Sequence, residues 1–334
     1  MKCEHYISRK QFLKAMGICT LAAASASLLG GCQSASSAST AVSSAASSDA
    51  SSVSSSAAAS KTLKVMASFY PVYDFAQKIG GDHVEVTCMV PAGTEPHDWE
   101  PSTTDITDLE SADVFIYSGA GMEHWVDSVL GSLSNQSLIS VEASTGITLR
   151  DGYKDEDGDD VGTDPHVWLA PENAKVEMEN IKNAFVEADP DNAADYEANY
   201  EKWSAECDTL DKEFRTGLEN VSSYDIVVSH EAFGYLCDAY GLTQLGIEGI
   251  EADSEPDPAR MAEIQDFVKA NKVKVIFSEE LVSPKVAQTI ADATGAQMKE
   301  LNPLEGLTDE EIAAGEDYFS VMRSNLDELK AALQ

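Results

Sequence analysis

Between Asp191 and Glu219 the chain carries no proline and a single glycine, Gly217. Ala194, Tyr200, Trp203, Cys207, Leu210 and Phe214 recur there near helical spacing. The pattern predicts one continuous helix of about 29 residues, roughly 43 Å long. That is longer than an ordinary crossover between strands, and it divides the sequence into two regions of similar character. On each side, short apolar runs alternate with amphipathic segments. Such a chain is predicted to be α/β: two lobes, each a mostly parallel sheet flanked by helices, joined by one long rigid helix.

The expected boundaries are an N-terminal lobe over 61–170, a helical connector over 171–219 and a C-terminal lobe over 220–334. In the first lobe, strands are expected at Leu63–Ala67, His83–Val90 and Asp113–Tyr117, and helices at Tyr70–Ile79 and Met122–Leu130. Ser102 and Asp105 have the spacing of a capping box. Pro171 suits the first position of a helix that Asp189-Pro190 would end. In the second lobe, Asp225–Ser229, Val273–Phe277 and Ala296–Leu301 read as strands. Asp257-Pro258 and Ser283-Pro284 read as helix starts, and Thr308-Asp-Glu-Glu311 as the capping box of an amphipathic terminal helix.

The first 60 residues have a different logic. Arg9, Lys10 and Lys14 precede the apolar run Ala15–Ala22 and small residues up to Leu29-Gly-Gly-Cys32, the layout of an export signal over 1–31. Its end resembles a bacterial lipobox, which makes Cys32 the expected lipidated N-terminus. A twin-arginine signal is matched less well, because Lys10 stands in place of the second arginine. Residues 32–60 are nearly all Ser and Ala after Gln33 and form an expected flexible tether, reaching about 30 Å as a coil. The protein is therefore expected outside the cytoplasm, lipid-anchored to the bacterial cell membrane.

A formal charge of −36 excludes nucleic acid as a partner, since phosphate binding needs basic patches. Of six cysteines, Cys88, Cys207 and Cys237 remain beyond Cys32, an odd number without CxxC spacing, so no disulfide framework follows. Asp151–Asp164 is rich in Asp and Gly. Gly158 falls at the wrong place for a calcium loop and no closing glutamate follows. It reads as a solvated mobile loop or, alternatively, a cation-gathering lid.

The chemistry concentrates on histidines. His97 lies between Pro96 and Pro101 in a loop with Glu95, Asp98 and Glu100; His166 lies in Asp164-Pro-His-Val-Trp-Leu; His230 ends the strand Ile226-Val-Val-Ser229. Neutral imidazole is the commonest protein metal ligand, and ligands in open α/β sheets bind beyond the carboxyl ends of strands. The three are expected to converge on one transition-metal ion between the lobes. His5 falls in the signal, and His83 and His124 have neither setting. Three imidazoles suit zinc rather than calcium or magnesium. A fourth protein donor, from among Glu305, Glu279, Glu280 and Asp98, would leave no position for an activated water.

Gly93-Thr-Glu-Pro-His-Asp-Trp-Glu-Pro-Ser102, Asp164-Pro-His-Val-Trp-Leu169, Ser229-His-Glu-Ala-Phe-Gly-Tyr235 and Leu301-Asn-Pro-Leu-Glu-Gly-Leu307, together with the lipobox, resemble the zinc-binding lipoproteins of bacterial metal ABC importers. The resemblance runs from about Lys61 to the C-terminus. It implies a Zn2+-capturing receptor, working as a monomer with a membrane permease and an ATPase. His97, His166 and His230 match the family's three histidine positions. Manganese-binding relatives tend to carry Glu at the third, so His230 favours Zn2+ over Mn2+. Asn302 stands where many relatives have an aspartate ligand, and relatives with Asn-Pro-Leu-Glu imply Glu305 as the fourth. Two departures are the acidic 151–164 loop, which lacks the histidines common in zinc members, and Ala170, which stands where Asp is frequent.

Two other classes compete. A zinc-dependent hydrolase would need an open coordination position and a general base, and neither HExxH nor a catalytic dyad surrounds the histidines. An adhesin would leave the metal motifs unexplained except as a second role. The expectation is a receptor and no enzyme.

Overall fold

The computed structural model describes residues 62–154, 160–250, 252 and 256–334. The expected signal, the tether and Cys32 lie outside them.

The chain builds a first sheet from β1 (Leu63–Ala67), β2 (Val84–Cys88), β3 (Val114–Tyr117) and β4 (Ile139–Glu142), all parallel, in the order β2-β1-β3-β4. Helices α1 (Tyr70–Gly80), α2 (Thr103–Glu110) and α3 (Val126–Leu130) connect them. An antiparallel pair, β5 (Asp151–Lys154) and β6 (Asp160–Thr163), follows. Then come α4 (Pro171–Ala188) and α5 (Ala193–Leu218), the latter 26 residues and about 39 Å long. A second parallel sheet, ordered β10-β9-β7-β8, uses β7 (Asp225–Val228), β8 (Thr243–Gly246), β9 (Val275–Ser278) and β10 (Gln297–Glu300). Around it run α6 (Gly234–Tyr240), α7 (Pro258–Asn271) and α8 (Lys285–Thr294), with α9 (Asp309–Ala314) and α10 (Tyr318–Leu333) closing the chain.

Successive strand side chains point to opposite faces, and here that sorts them into different cores. Leu63, Val65, Ala67, Val114 and Ile116 join one core with Ile226, Val228, Val275 and Phe277 of the second sheet. Met66 and Phe115 point instead into a core under α2 and α3, and Val227 and Ile276 into one under α7 and α8. The shared core also takes in Met178, Ile181 and Phe185 of α4, Leu210 and Phe214 of α5, and Met322 and Leu329 of α10. One apolar body therefore runs through both lobes.

Several local expectations change. The long helix begins at Ala193, because Pro190–Asn192 forms a 3-10 turn in which the Asp189 carboxylate accepts from Asn192 and Tyr196. The helix expected from Met122 starts only at Val126. The Glu123 carboxylate turns back to accept from Ser118 N and Gly119 N, holding that segment as a turn. Ser283 does not cap α8; Pro284 takes that position and offers no side-chain acceptor. Thr308 and Glu311 do form a capping box, but for the short α9, which Gly315 ends in the left-handed conformation. The terminal helix restarts with its own box from Asp317 and Ser320. The ends of the acidic 151–164 segment, expected as loop, pair as strands.

Candidate metal centre

Three of the four donor-bearing turns leave the carboxyl ends of parallel strands. His97 follows β2, His230 follows β7 by two residues, and Glu305 follows β10. His166 comes from the other direction, between β6 and α4. The four side chains meet, with one donor atom from each lying within 4.8 Å of every other. His97 Nε2 is 3.3 Å from His166 Nε2 and 3.1 Å from Glu305 Oε1. His166 Nε2 is 2.9 Å and His230 Nδ1 3.8 Å from the same oxygen. Nitrogen and oxygen donors about 2.0–2.1 Å from a zinc ion at tetrahedral corners would be separated by about 3.3 Å. The spacing brackets that edge length. His166, His230 and Glu305 are buried, while the His97 side chain keeps 9% of its surface exposed and forms the open side.

Hydrogen bonds decide which nitrogens face the centre. Asp164 Oδ1 lies 2.9 Å from His166 Nδ1 and also accepts from the His166 backbone N–H at 3.1 Å. That places the ring proton on Nδ1 and leaves the Nε2 lone pair toward the cluster. His230 is turned the other way round: its Nε2–H donates to the Ile250 carbonyl at 2.6 Å, and Nδ1 faces inward. Glu279 Oε2 stands 3.2 Å from that Nδ1, and its Oε1 has no hydrogen-bond partner among the described residues. On the open side, Glu95 accepts from the His97 backbone N–H.

Burial by itself would depress all three imidazoles. Against it, Glu305 and Glu95 together raise His97, Asp164 and Glu305 together raise His166, and Glu305 and Glu279 together raise His230, so each sits above the ordinary value. Glu305 goes the other way. Burial would raise it, but His230, His97 and His166 hold it well below the usual carboxylate range.

Among the candidate fourth donors, the structure brings Glu305 against all three histidines and sets Glu279 beside the inward Nδ1 of His230. Glu280 lies apart, pushed up to about 9 by burial and by Glu279, Glu300 and Glu311, and Asp98 is exposed. His83 pairs with Asp195 and His124 with Glu100, both away from the centre. Asn302 acts on the turn instead. Its Oδ1 accepts from Leu304 N at 2.6 Å, and its own backbone N–H and C=O are gripped by Asn325 at 2.9 and 2.7 Å. Leu304, a non-glycine residue at φ 60°, supplies the left-handed twist that aims Glu305 inward. Trp168 ties the two halves: its indole N–H donates to the Pro303 carbonyl at 2.8 Å, while Tyr318 OH donates to its own carbonyl at 2.7 Å. These supporting roles of Asp164, Trp168, Asn325 and Leu304 went unassigned in the sequence, although Asp164 and Trp168 flank His166 within its motif.

Residues 65–332 match the family described as zinc-uptake complex component A, periplasmic (ZnuA). The high-affinity zinc uptake system protein ZnuA of Bacillus subtilis (strain 168) is 40% identical over 279 residues, covering 81% of this chain and 88% of that protein. Zinc-binding lipoprotein AdcA of Streptococcus pneumoniae (strain ATCC BAA-255 / R6) is 38% identical over 276 residues, covering 80% of this chain but 55% of AdcA, so this chain corresponds to about half of that relative. The crystal structure of the Zn(II)-bound ZnuA-like domain of S. pneumoniae AdcA superposes with a TM-score of 0.72 at 36% identity, covering 81% of this chain and 99% of that domain.

Proposed function

This chain belongs to the ZnuA family of periplasmic zinc-uptake components, and from that membership we propose that it captures Zn2+ outside the cytoplasm and delivers it to a membrane permease driven by an ATPase. His97 Nε2, His166 Nε2, His230 Nδ1 and Glu305 Oε1 are the proposed ligands. The single observation that carries this assignment is their mutual spacing, 2.9–3.8 Å for four of the six pairs and within 4.8 Å for all. Four protein donors fill a tetrahedron and leave no position for a hydrolytic water, so the protein is a carrier and no enzyme. With three imidazoles and one carboxylate, zinc is favoured over manganese.

The organisation proposed for the whole chain is a signal over 1–31, a tether over 32–60 from a lipidated Cys32, lobes over 61–170 and 220–334, and a helical connector over 171–219. A monomer held to the membrane by that anchor would sample metal within reach of its importer. Among the described residues, no helix is long and apolar enough to cross a membrane.

The test is elemental analysis after equilibrating the protein with Zn2+ and Mn2+ together. One zinc per chain, lost in His97→Ala and in His230→Ala, is expected. Manganese retained in preference overturns the metal assignment, and no tightly held metal overturns the receptor.

A further inference from the structure

The segment that ends in His166 is fastened at its base by residues of the opposite lobe. Arg150 and Asp164 bracket the antiparallel pair, with Asp164 N–H donating to the Arg150 carbonyl at 3.2 Å. Tyr235, in α6, joins both ends with one hydroxyl, accepting from Arg150 N–H and donating to the Asp164 carbonyl, each at 2.9 Å. The Arg150 guanidinium then branches. Its Nη1 donates to Asp238 of α6, and its Nε stands 3.4 Å from Asp164 Oδ2. The other oxygen of that carboxylate, Oδ1, is the one that holds the His166 ring and backbone.

Gly234, at the start of α6, makes this approach feasible. A Cβ there would fall 2.4 Å from Asp164 Oδ2 and 2.6 Å from Arg150 Nε, closer than real Cβ contacts come. Both fixed points on the Asp164 carboxylate side of His166 therefore depend on α6 remaining docked. Sequence position disguises this: Arg150 lies 16 residues before the ligand by numbering, and Tyr235 lies in the other lobe.

We propose that Arg150 and Tyr235 are positioning residues forming an inter-lobe latch that controls how long zinc is held, by fixing Asp164 and through it the His166 ring. The inference rests on the zinc-receptor function proposed above. While the latch is closed, Asp164 keeps Nδ1 protonated and Nε2 aimed at the metal. A force on α6, such as docking against the importer, breaks the Tyr235 and Arg150 bonds, lets His166 swing and weakens one of four metal bonds without a large lobe motion. Partners behind a ligating histidine are typically worth about 10- to 100-fold in metal affinity.

The experiment is stopped-flow release of Zn2+ into excess chelator, with the association rate measured in parallel, for the wild type and for Tyr235→Phe, Arg150→Ala and Asp238→Asn. The expected result is zinc dissociation faster by about 10-fold or more in Tyr235→Phe and Arg150→Ala, and less in Asp238→Asn, with association little changed and one zinc still bound. Combining Tyr235→Phe with Arg150→Ala should accelerate release by less than the product of the two, because both act through Asp164. Arg150→Lys should recover only a fraction of the loss, since an ammonium cannot face Asp164 and Asp238 with a planar fork. Dissociation within about twofold of wild type in both Tyr235→Phe and Arg150→Ala, far short of the effect of losing a partner behind a ligand, overturns the latch. Should Arg150→Ala fail to fold, Tyr235→Phe and the exposed Asp238→Asn decide by the same readout. A wild type that binds no zinc would fail the receptor function itself, a distinct outcome visible before any variant is compared.

Discussion

His166 Nε2 and Glu305 Oε1 stand 2.9 Å apart although 139 residues separate them in the chain. Neither side chain is free to wander. Asp164 fixes the imidazole, and the Asn302–Asn325 pair fixes the turn that carries the carboxylate. Trp168 then bridges one segment to the other through the Pro303 carbonyl. The centre is preorganised, so ion capture spends little free energy on ordering the protein.

Glu305 is the carboxylate that reaches all three imidazoles, 2.9 Å from His166, 3.1 Å from His97 and 3.8 Å from His230, and its removal should be the most damaging single change. Glu305→Gln keeps the volume but leaves Glu279, already 3.2 Å from the inward-facing His230 Nδ1, as the carboxylate beside that ring. Losing one member of a buried, charge-compensated cluster costs about 3–5 kcal/mol, which predicts zinc affinity lower by about 100-fold or more. Chelator competition measures it. An affinity within a few-fold of wild type would mean that Glu279 or water fills the fourth position.

Protons and zinc compete for the same lone pairs, and the direction follows from the shifts. Each imidazole lies above its ordinary value of 6.5 in the metal-free protein, so the protonated rings stabilise the fold below about pH 6.5 and that contribution is lost as pH rises through the raised values. Glu305 is depressed, so its contribution is present above the ordinary carboxylate value and is lost only on strong acidification. Zinc binding near neutrality should therefore release protons, and on acidification affinity should already be falling before about pH 6.5 is reached. Calorimetry in buffers of different ionisation enthalpy reads the protons directly. Affinity that stays flat from about pH 7.5 to about pH 5 contradicts a three-histidine centre.

Much of this was legible because the strands are short, apolar and period-two, and because Pro171, Asp257 and Ser102 mark helix starts in the way their chemistry requires. The three histidines stood out through strand-end and proline-framed settings, which are local properties. What stayed hidden is non-local. Nothing near Leu304 announces a left-handed residue, since its φ is imposed by Asn302 and by Asn325 on a later helix. Glu279 and Glu280 are adjacent and chemically alike, and only the β9 exit direction sets one against His230 and the other away from it. The late start of α3 depends on Glu123 finding Ser118 and Gly119, a competition that helical periodicity cannot register.

Asn325→Ala should expose the cost of that non-local turn. Asn325 is 3% exposed and satisfies both the N–H and the C=O of Asn302. Leaving two buried backbone groups without partners should cost about 2–4 kcal/mol of stability by thermal or denaturant unfolding. Zinc affinity should fall as well, because Leu304 is no longer held at positive φ and Glu305 loses its aim. A destabilised variant that binds zinc as tightly as wild type would show that the turn is set by Trp168 alone.

Zinc binding should change the separation of the lobes very little. The apolar side chains of β1 and β3 share one core with those of β7 and β9, so hinge opening would have to expose buried apolar surface instead of separating faces that are already wet. Charged ties reinforce the core. Lys78 of α1 reaches Asp74 at 2.7 Å and Asp317, the cap of α10, at 2.8 Å, with its ammonium 4.9 Å from the Trp203 ring. A motion that drew α10 away from α1 would strand this lysine, which would lose its partner in the opposite lobe. Small-angle scattering of the metal-free and zinc-loaded soluble part, residues 61–334, should therefore give radii of gyration that agree within about 1 Å, against about 19 Å expected for a compact body of that length. A larger contraction on adding zinc would mean that the shared core opens in the metal-free state, and the latch at Tyr235 would then report lobe closure rather than control release.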